Sequence, residues 1–523
     1  MFWSAGPFEH SLNRRRFLAA SGSLAAAAMW SMRAEGAIRR NLSLGDNPFQ
    51  LGVTSGDPSA DGFVIWTRLA PKPLEGGGMP AEAVEVDWQV AEDEQMTKVV
   101  RQGTVTATPD WSHSVHVEVD GLRPDRWYWY QFRAAGEISP KGRARTFPAA
   151  DAMPERLRFA FASCQHFEYG YFTAFEHMAR EDLDFIAHLG DYIYEYAGSD
   201  KRVRKHVGKE IDSLDDYRNR YAQYRSDPHL LEVHRMFPWI VTWDDHEVDN
   251  NYAGAISEEK HVDAPTLLAR RARAYQVYFE HMPLRRAALP KGPDMLLYRQ
   301  LPFGRLASFF VLDTRQYRTD QPCGDGDKAP CPDVLDPKAT LLGDAQEQWL
   351  LDGLTRSGGR WNVLAQQVMM ARADRKPGDE VKISMDQWPG YEVNRRRLLR
   401  AFDERKIANP IVLTGDIHTH WANNLILDFE DLDSRIVGTE FVGSSITSGG
   451  DSKGPPKHLA ELYAENPFVK YYSEQRGYVS CNITPEQWRT DFRSIDYVTR
   501  PGAPLETSAA FVVENGRPGL QRA

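Results

Sequence analysis

Four apolar runs in this chain each stop at a turn filled with metal-ligand side chains. Ile411-Val412-Leu413 leads into Thr414-Gly415-Asp416-Ile417-His418-Thr419-His420. Upstream, a run from Phe159 leads into Cys164-Gln165-His166, one from Ile186 into Gly190-Asp191-Tyr192-Ile193-Tyr194, and one from Ile240 into Trp243-Asp244-Asp245-His246. Short apolar runs bounded by turn residues read as buried strands. In layered α/β folds, ligands bind beyond the carboxyl ends of the strands. Four such ends, scattered in sequence and brought together in space, predict a polynuclear metal site.

The wider pattern agrees with an α/β assignment for most of the chain. Apolar strands are predicted over 157–162, 185–189, 239–243, 307–312, 361–365, 411–413 and 440–442, and helices over 215–224, 265–281, 344–355 and 395–404. Their alternation predicts a layered α/β domain over 155–523, with sheets between helices. Residues 47–148 read differently. Runs such as Phe63-Val64-Ile65-Trp66-Thr67 and Trp127-Tyr128-Trp129-Tyr130-Gln131-Phe132 alternate with period two between Gly, Pro and Asp turns. Their length suits a β-sandwich of immunoglobulin or fibronectin type. This module has no ligand cluster, so packing or substrate gating is expected of it rather than hydrolysis. Ala149-Ala150-Asp151-Ala152-Met153-Pro154 reads as the linker.

At 523 residues the chain has room for more than one domain and a sizeable core. Its net charge of −10 comes from intermixed acidic and basic residues, which argues against a nucleic-acid-binding surface held by bulk electrostatics. Residues 1–36 read as an export segment. Asn13-Arg14-Arg15-Arg16-Phe17-Leu18 precedes a stretch rich in Ala, Gly and Ser, which is the pattern of a twin-arginine signal. The stretch is too short and too small-sided for a stable membrane span. The twin-arginine export machinery is therefore an expected partner, and the periplasm or the extracellular space the expected location. In an exported protein, Cys323 and Cys331 flanking a Gly/Asp/Pro loop predict a small disulfide. Cys481 lies in a strand-like apolar context and reads as inert core, whereas Cys164 at a polar strand end is a candidate thiolate ligand.

Each strand end has its own chemistry. Asp191 is placed to bridge two cations, and Tyr194 three residues on offers a phenolate, which favours ferric iron over zinc. The consecutive carboxylates Asp244 and Asp245, followed by His246 and then Asp249, Asn250 and Asn251, suit an oxygen-preferring cation such as calcium, magnesium or manganese. Asp-rich turns also begin many helices, so this stretch alone carries little weight. His246 is a candidate general acid toward a leaving oxygen. Asp416 and His418 fall on one side of an extended segment, and His420 follows by the same alternation, as a further ligand, a supporting group or a packed side chain. Arg218 and Arg220, on a predicted helix, are candidates to clamp a phosphate through a bidentate guanidinium. Other chemistries find no support: there is no Gly-x-Ser-x-Gly elbow, P-loop, His-Glu-x-x-His or Cys-x-x-Cys-His.

Taken jointly, these residues resemble a known family. Phe161-Ala162-Ser163-Cys164-Gln165, Gly190-Asp191-Tyr192-Ile193-Tyr194-Glu195, Tyr217-Arg218-Asn219-Arg220-Tyr221, Trp243-Asp244-Asp245-His246-Glu247 and Gly415-Asp416-Ile417-His418 are similar to motifs of the PhoD-type alkaline phosphatases. Asp313-Thr314-Arg315-Gln316-Tyr317-Arg318 and Trp388-Pro389-Gly390-Tyr391 look similar too. The resemblance implies a secreted phosphatase with a metallophosphatase-like core, acting on phosphate mono- and diesters by attack of a metal-activated oxygen. It implies ferric iron (Fe3+) held by Cys164, Asp191, Tyr194 and His418. It also implies calcium (Ca2+) held by Asp191, Asp416 and the 245–251 segment, with Asp245 as ligand, Asn250 or Asn251 adding an amide oxygen, and His246 catalytic. A phospholipase D-like phosphodiesterase on the same site is an alternative. An exported envelope-binding protein with structural cations is another.

Overall fold

Alternation along the strands explains why two sheets stack. The computed structural model describes residues 44–378 and 380–523; the segment 1–36, with Arg14 and Arg15, lies outside them. In the strand Leu157–Ala162, the side chains of Leu157, Phe159 and Phe161 face one layer, and those of Ala160 and Ala162 face another. Phe185–His188, Ala307–Val311, Trp361–Ala365 and Pro410–Thr414 are buried throughout. Strands apolar on both faces are stable only between two covering layers.

The first sheet has ten strands and the second seven. At the centre of the first, Leu157–Ala162, Phe185–His188 and Pro238–Val241 run parallel. In the second, Ala307–Val311, Trp361–Ala365, Pro410–Thr414 and Ile436–Val442 run parallel. The sheets meet through Phe159, Phe161, Phe185 and Ile240 from one side and Phe309, Val363, Ile411 and Phe441 from the other. Phe159 stacks on Phe185 at 4.9 Å between ring centroids and stands edge-on to Phe309 at 5.3 Å. Tyr217 and Tyr275, from the helices Leu214–Arg225 and Ala264–His281, pack with Ile186 and Trp239 on the outer face of the first sheet. Leu350 and Leu398, from Gly343–Arg356 and Glu392–Glu404, pack with Phe310, Leu364 and Val412 on the outer face of the second. The result is a helix–sheet–sheet–helix sandwich whose parallel strands deliver their carboxyl ends to one edge.

The N-terminal β-rich region does not close on itself. One of its layers holds Val84–Ala91, Val99–Ala107, Trp127–Ala134, Glu137–Ile138 and Gly142–Arg145. The facing layer, Val53–Gly56, Phe63–Arg68 and Ser114–Val119, is the end of the ten-stranded sheet. Val53–Gly56 joins that sheet by parallel pairing, Ser55 with Pro238 and Gly56 with Trp239. A free-standing immunoglobulin-type sandwich would carry two sheets of its own; here one sheet is shared, which ties the β-rich region to the α/β domain by backbone hydrogen bonds. Among the described residues no helix is long and apolar enough to cross a membrane. Cys323 and Cys331 form a disulfide, and Cys481 is buried in the inter-sheet core.

Phe309 is 1% exposed and touches aromatic rings of the opposite sheet. Phe309→Ala is expected to lower stability by about 3–5 kcal/mol, through lost burial and a residual cavity. Chemical denaturation would show this as a lower midpoint; an unchanged midpoint would mean that the sheets hold together without this ring.

Candidate metal centre

The ligand-bearing turns are shaped by unusual backbone. Cys164, Asp191, Asp416 and His418 all adopt left-handed conformations, with φ of 58°, 56°, 61° and 56°. Each costs a non-glycine residue about 1–2 kcal/mol, and strain of this kind collects at functional sites. Glu247 binds two of the turns together: its carboxylate accepts from the backbone N–H of Asp191 at 3.1 Å, Tyr192 at 2.6 Å and Asp244 at 2.9 Å. Gly190 makes the approach feasible. It has φ +108°, and a Cβ there would lie 2.5 Å from Asp244 Cβ. At Gly415 a Cβ would lie 2.5 Å from Ser163 Oγ, so a side chain at either glycine would push the strand ends apart.

Three overlapping sets of ligand atoms result. Cys164, Asp191 and His418 form one, Asp191, Asp245 and His246 a second, and Asp244, Asp245 and Asp416 a third, each with its atoms within 4.8 Å of one another. Asp191 joins the first to the second, and Asp245 joins the second to the third. Tyr194 completes the first: its hydroxyl donates to Asp191 Oδ2 at 2.8 Å, lies 3.3 Å from His418 Nε2 and accepts from Ser448 Oγ at 2.7 Å. The first set mixes thiol, phenol, imidazole and carboxylate. The third is all carboxylate.

Positive charge is scarce here. Buried Arg315 donates from Nε to Asp244 Oδ1 and from Nη1 to Asp386 Oδ1 at 2.8 Å. Its Nη2 is unpartnered, 3.6 Å from Asp245 and 3.7 Å from Asp416. Burial alone would lower its pKa; Asp244, Asp245, Asp386 and Asp416 outweigh burial and raise it well above the ordinary value. Burial acts on the acids in the opposite sense, raising their pKa values, and at Asp245 it is overcome by Arg315 and then His246, which hold that carboxyl below the usual range. Burial pushes the Asp191 and Asp244 carboxyls well above the usual range, against the pull of His246 and Arg315 respectively. Burial likewise moves Asp416 to about 6, against Arg315. The Cys164 thiol and the Tyr194 phenol are raised by burial and then by Asp191. Asp191 Oδ1, Asp244 Oδ2 and Asp245 Oδ1 are buried without a hydrogen-bond partner. Orphaned oxygens in an anion-rich, dehydrated cluster are the surroundings that a cation stabilises. The donor sets therefore fit bound metal ions.

His246 contributes the imidazole of the second set. Its Nδ1 is 2.8 Å from Glu195 Oε2, and its ring is 4.1 Å from that of Tyr194. Burial disfavours its charged form, but Glu195, then Asp245 and Asp191, overcome burial and hold its pKa well above the usual value. The same Glu195 accepts from Asn250 N–H at 3.1 Å, while Asn250 Oδ1 faces the Tyr196 hydroxyl at 3.3 Å. Asn251 is closer to the carboxylates, with its N–H donating to Asp245 Oδ2 at 2.7 Å.

Three candidates stand elsewhere. Arg218 is locked in a bidentate pair with Glu280, at 2.8 and 2.6 Å, beneath the β-rich region. Arg220 is buried and donates to the carbonyls of Tyr194 and Lys209, so it supports the Tyr194 turn from behind. Neither offers a free edge to a phosphate. His420 belongs to none of the ligand sets: its Nδ1 accepts from Ser444 N–H at 2.9 Å and its ring stands edge-on to Phe492. The alternation that pointed to it assumes an extended segment, and the left-handed Asp416 and His418 break that register.

Sequence reasoning missed Glu195, Glu247 and Arg315 as functional groups, although all three sit inside motifs quoted for the family resemblance. Their roles are bonds to distant partners, for which spacing gives no signal. Ser448 and Gln387, whose Nε2 donates to Asp416 Oδ2 at 2.8 Å, are likewise found only by geometry.

Comparison with known proteins identifies the family to which a chain of this fold belongs. The PhoD-like phosphatase family matches residues 159–492, and its N-terminal domain matches residues 35–148. Alkaline phosphatase D of Bacillus subtilis (strain 168) is 49% identical over 522 residues, 98% of this chain and 89% of that protein. A solved structure described as that of PhoD superposes with a TM-score of 0.90 at 50% identity, covering 92% of this chain and 93% of that one. The chain thus belongs to the PhoD-like phosphatase family and is an enzyme that hydrolyses phosphoric esters.

Proposed function

We propose that this chain is an exported, metal-dependent phosphatase acting on phosphate mono- and diesters. The observation that carries the reading is the sharing of Asp191 and Asp245 among three ligand sets, one buried and two with a half-buried member, with oxygen atoms left unpartnered. Cys164, Asp191, Tyr194 and His418 would hold ferric iron, since thiolate and phenolate suit a high-charge transition metal. Asp245 and Asp416, with Asp191 and an amide of the 250–251 pair, would hold calcium, which prefers oxygen. When bound, these cations supply Lewis acidity and offset the charge that develops on phosphoryl oxygens.

The protein's own groups do the rest. His246 is the proposed general acid. Glu195 takes its Nδ1–H and keeps the imidazolium charged, so Nε2 carries a proton for the leaving oxygen. Glu195 is a positioning residue, and so is Glu247, which sets the spacing of the Asp191 and Asp244 turns. Arg315 holds Asp244 and Asp386, and stays with the carboxylates rather than with substrate. Export by the twin-arginine route rests on Arg14-Arg15 and the segment after them. That route carries folded proteins, which suits a chain that assembles its metal centre before export.

Three outcomes test this reading. Asp191→Asn is expected to lower kcat by at least about a hundredfold, because one carboxylate would serve both cations; activity within a few-fold of wild type at full metal content would count against it. Wild-type protein purified without chelator should absorb visible light by charge transfer to iron, and Tyr194→Phe should remove or strongly weaken that band. A colourless protein with stoichiometric zinc would overturn the iron assignment. Replacing Arg14-Arg15 by Lys-Lys should leave folded, active protein in the cytoplasm, as read by cell fractionation; export at the wild-type level would exclude the twin-arginine route.

A further inference from the structure

The disulfide Cys323–Cys331 closes a surface loop whose Asp325 reaches inward to the centre. Asp325 Oδ2 accepts from Asn251 Nδ2, and Oδ1 accepts from Gly326 N–H at 2.6 Å. The loop is also anchored behind. Asp327–Lys328 pairs antiparallel with Ile383–Ser384, and Met385 N–H donates to Gly326 O at 3.1 Å. That second segment continues into Asp386 and Gln387, which bond to Arg315 and Asp416. The loop is thus hydrogen-bonded to the all-carboxylate end of the centre along two routes.

Asn251 is fixed on three sides. Its N–H donates to Asp245 Oδ2 at 2.7 Å, its carbonyl accepts from Gln321 Nε2 at 2.7 Å, and its amide NH2 is taken by Asp325. Its backbone is left-handed, with φ 48°. Among the described residues, no donor reaches its Oδ1. The two ends of an amide are chemically opposite: the carbonyl oxygen ligates a hard cation, and the NH2 repels one. Asn251 also lies beside the Asp245 carboxylate, so without Asp325 a freely turning amide would be drawn to direct its NH2 there.

We infer that Asp325 is a positioning residue for the second cation: by holding the Asn251 NH2, it presents Asn251 Oδ1 to the calcium that Asp245 and Asp416 would bind. The disulfide and the short strand pair hold Asp325 in register for that task. The inference rests on the proposed calcium reading and adds to it a residue that no ligand set contains. It also selects Asn251 over Asn250, whose Oδ1 is turned to Tyr196.

The test is a calcium titration of chelator-treated holoprotein by calorimetry, repeated with terbium luminescence, on wild type, Asp325→Ala and Asp325→Asn. Asp325→Ala is expected to raise the half-saturating calcium concentration about tenfold or more, the usual size of a lost supporting contact behind a metal ligand. Asp325→Asn keeps an acceptor oxygen, so a smaller rise is expected. Iron content and the visible band should stay at wild-type levels in both variants. A wild-type calcium midpoint in Asp325→Ala would overturn the inference, as would loss of iron in parallel with calcium, which would mark general damage. Absence of calcium binding by the wild-type protein overturns the calcium reading itself, and the wild-type titration alone distinguishes that failure from a failure of Asp325.

Discussion

Asp191, Asp244, Asp245 and Asp416 share a largely buried space in which, among the described residues, Arg315 is the one guanidinium that all but Asp191 face. Separately, each carboxylate would be an ordinary strand-end residue. Together, and away from water, they repel one another, and burial pushes most of their pKa values up. A protein tolerates such a cluster only if something compensates it. Arg315 compensates part, and the orphaned oxygens mark the remainder. The tight approach of the strand ends, the left-handed turns and the glycines at 190 and 415 all follow from the need to bring these groups within ligand distance.

The scaffold suits that requirement because it is stiff. The inter-sheet core is built of interlocking aromatic rings, and parallel strands from both sheets end at the same edge. A displacement of one sheet against the other would separate Asp191 and Asp244 on the first from Asp416 on the second. The continuous ten-stranded sheet extends this stiffness to the β-rich region, whose Arg68 bonds to Ser112 and to His281 of the helix Ala264–His281, closing a buried polar seam beside the Arg218–Glu280 pair. This gives Arg218 a structural task, which explains why a phosphate clamp is not found there.

Around the ligands runs a ring of carboxylates and amides that only hold other groups. Glu247 fixes backbone, Glu195 fixes His246, Gln387 holds Asp416 and Asp325 holds Asn251. In a crowded anionic site such contacts decide which atom of each side chain faces the cation and which faces away. The proposed ability of His246 to carry a proton near neutral pH depends on Glu195 in the same way, since burial alone would leave the imidazole neutral.

The local pattern was enough for the elements. Short apolar runs identified the strands 157–162 and 361–365 at their observed bounds, and the residue types at the strand ends marked Cys164, Asp191, Asp245, Asp416 and His418 as a set. Such signals are legible because side-chain alternation and ligand chemistry are properties of neighbours in the chain. What tertiary structure alone decided is who faces whom. Arg218 finds Glu280, Arg220 finds the Tyr194 carbonyl, His420 finds Ser444, and Asn251 finds Asp325, each partner remote in sequence. The shared sheet between the β-rich and α/β regions is of the same kind, because the pairing of Ser55 with Pro238 leaves no trace in either segment alone. A residue's type and spacing set what it is able to do; the partner that burial places against it sets which of those things it does.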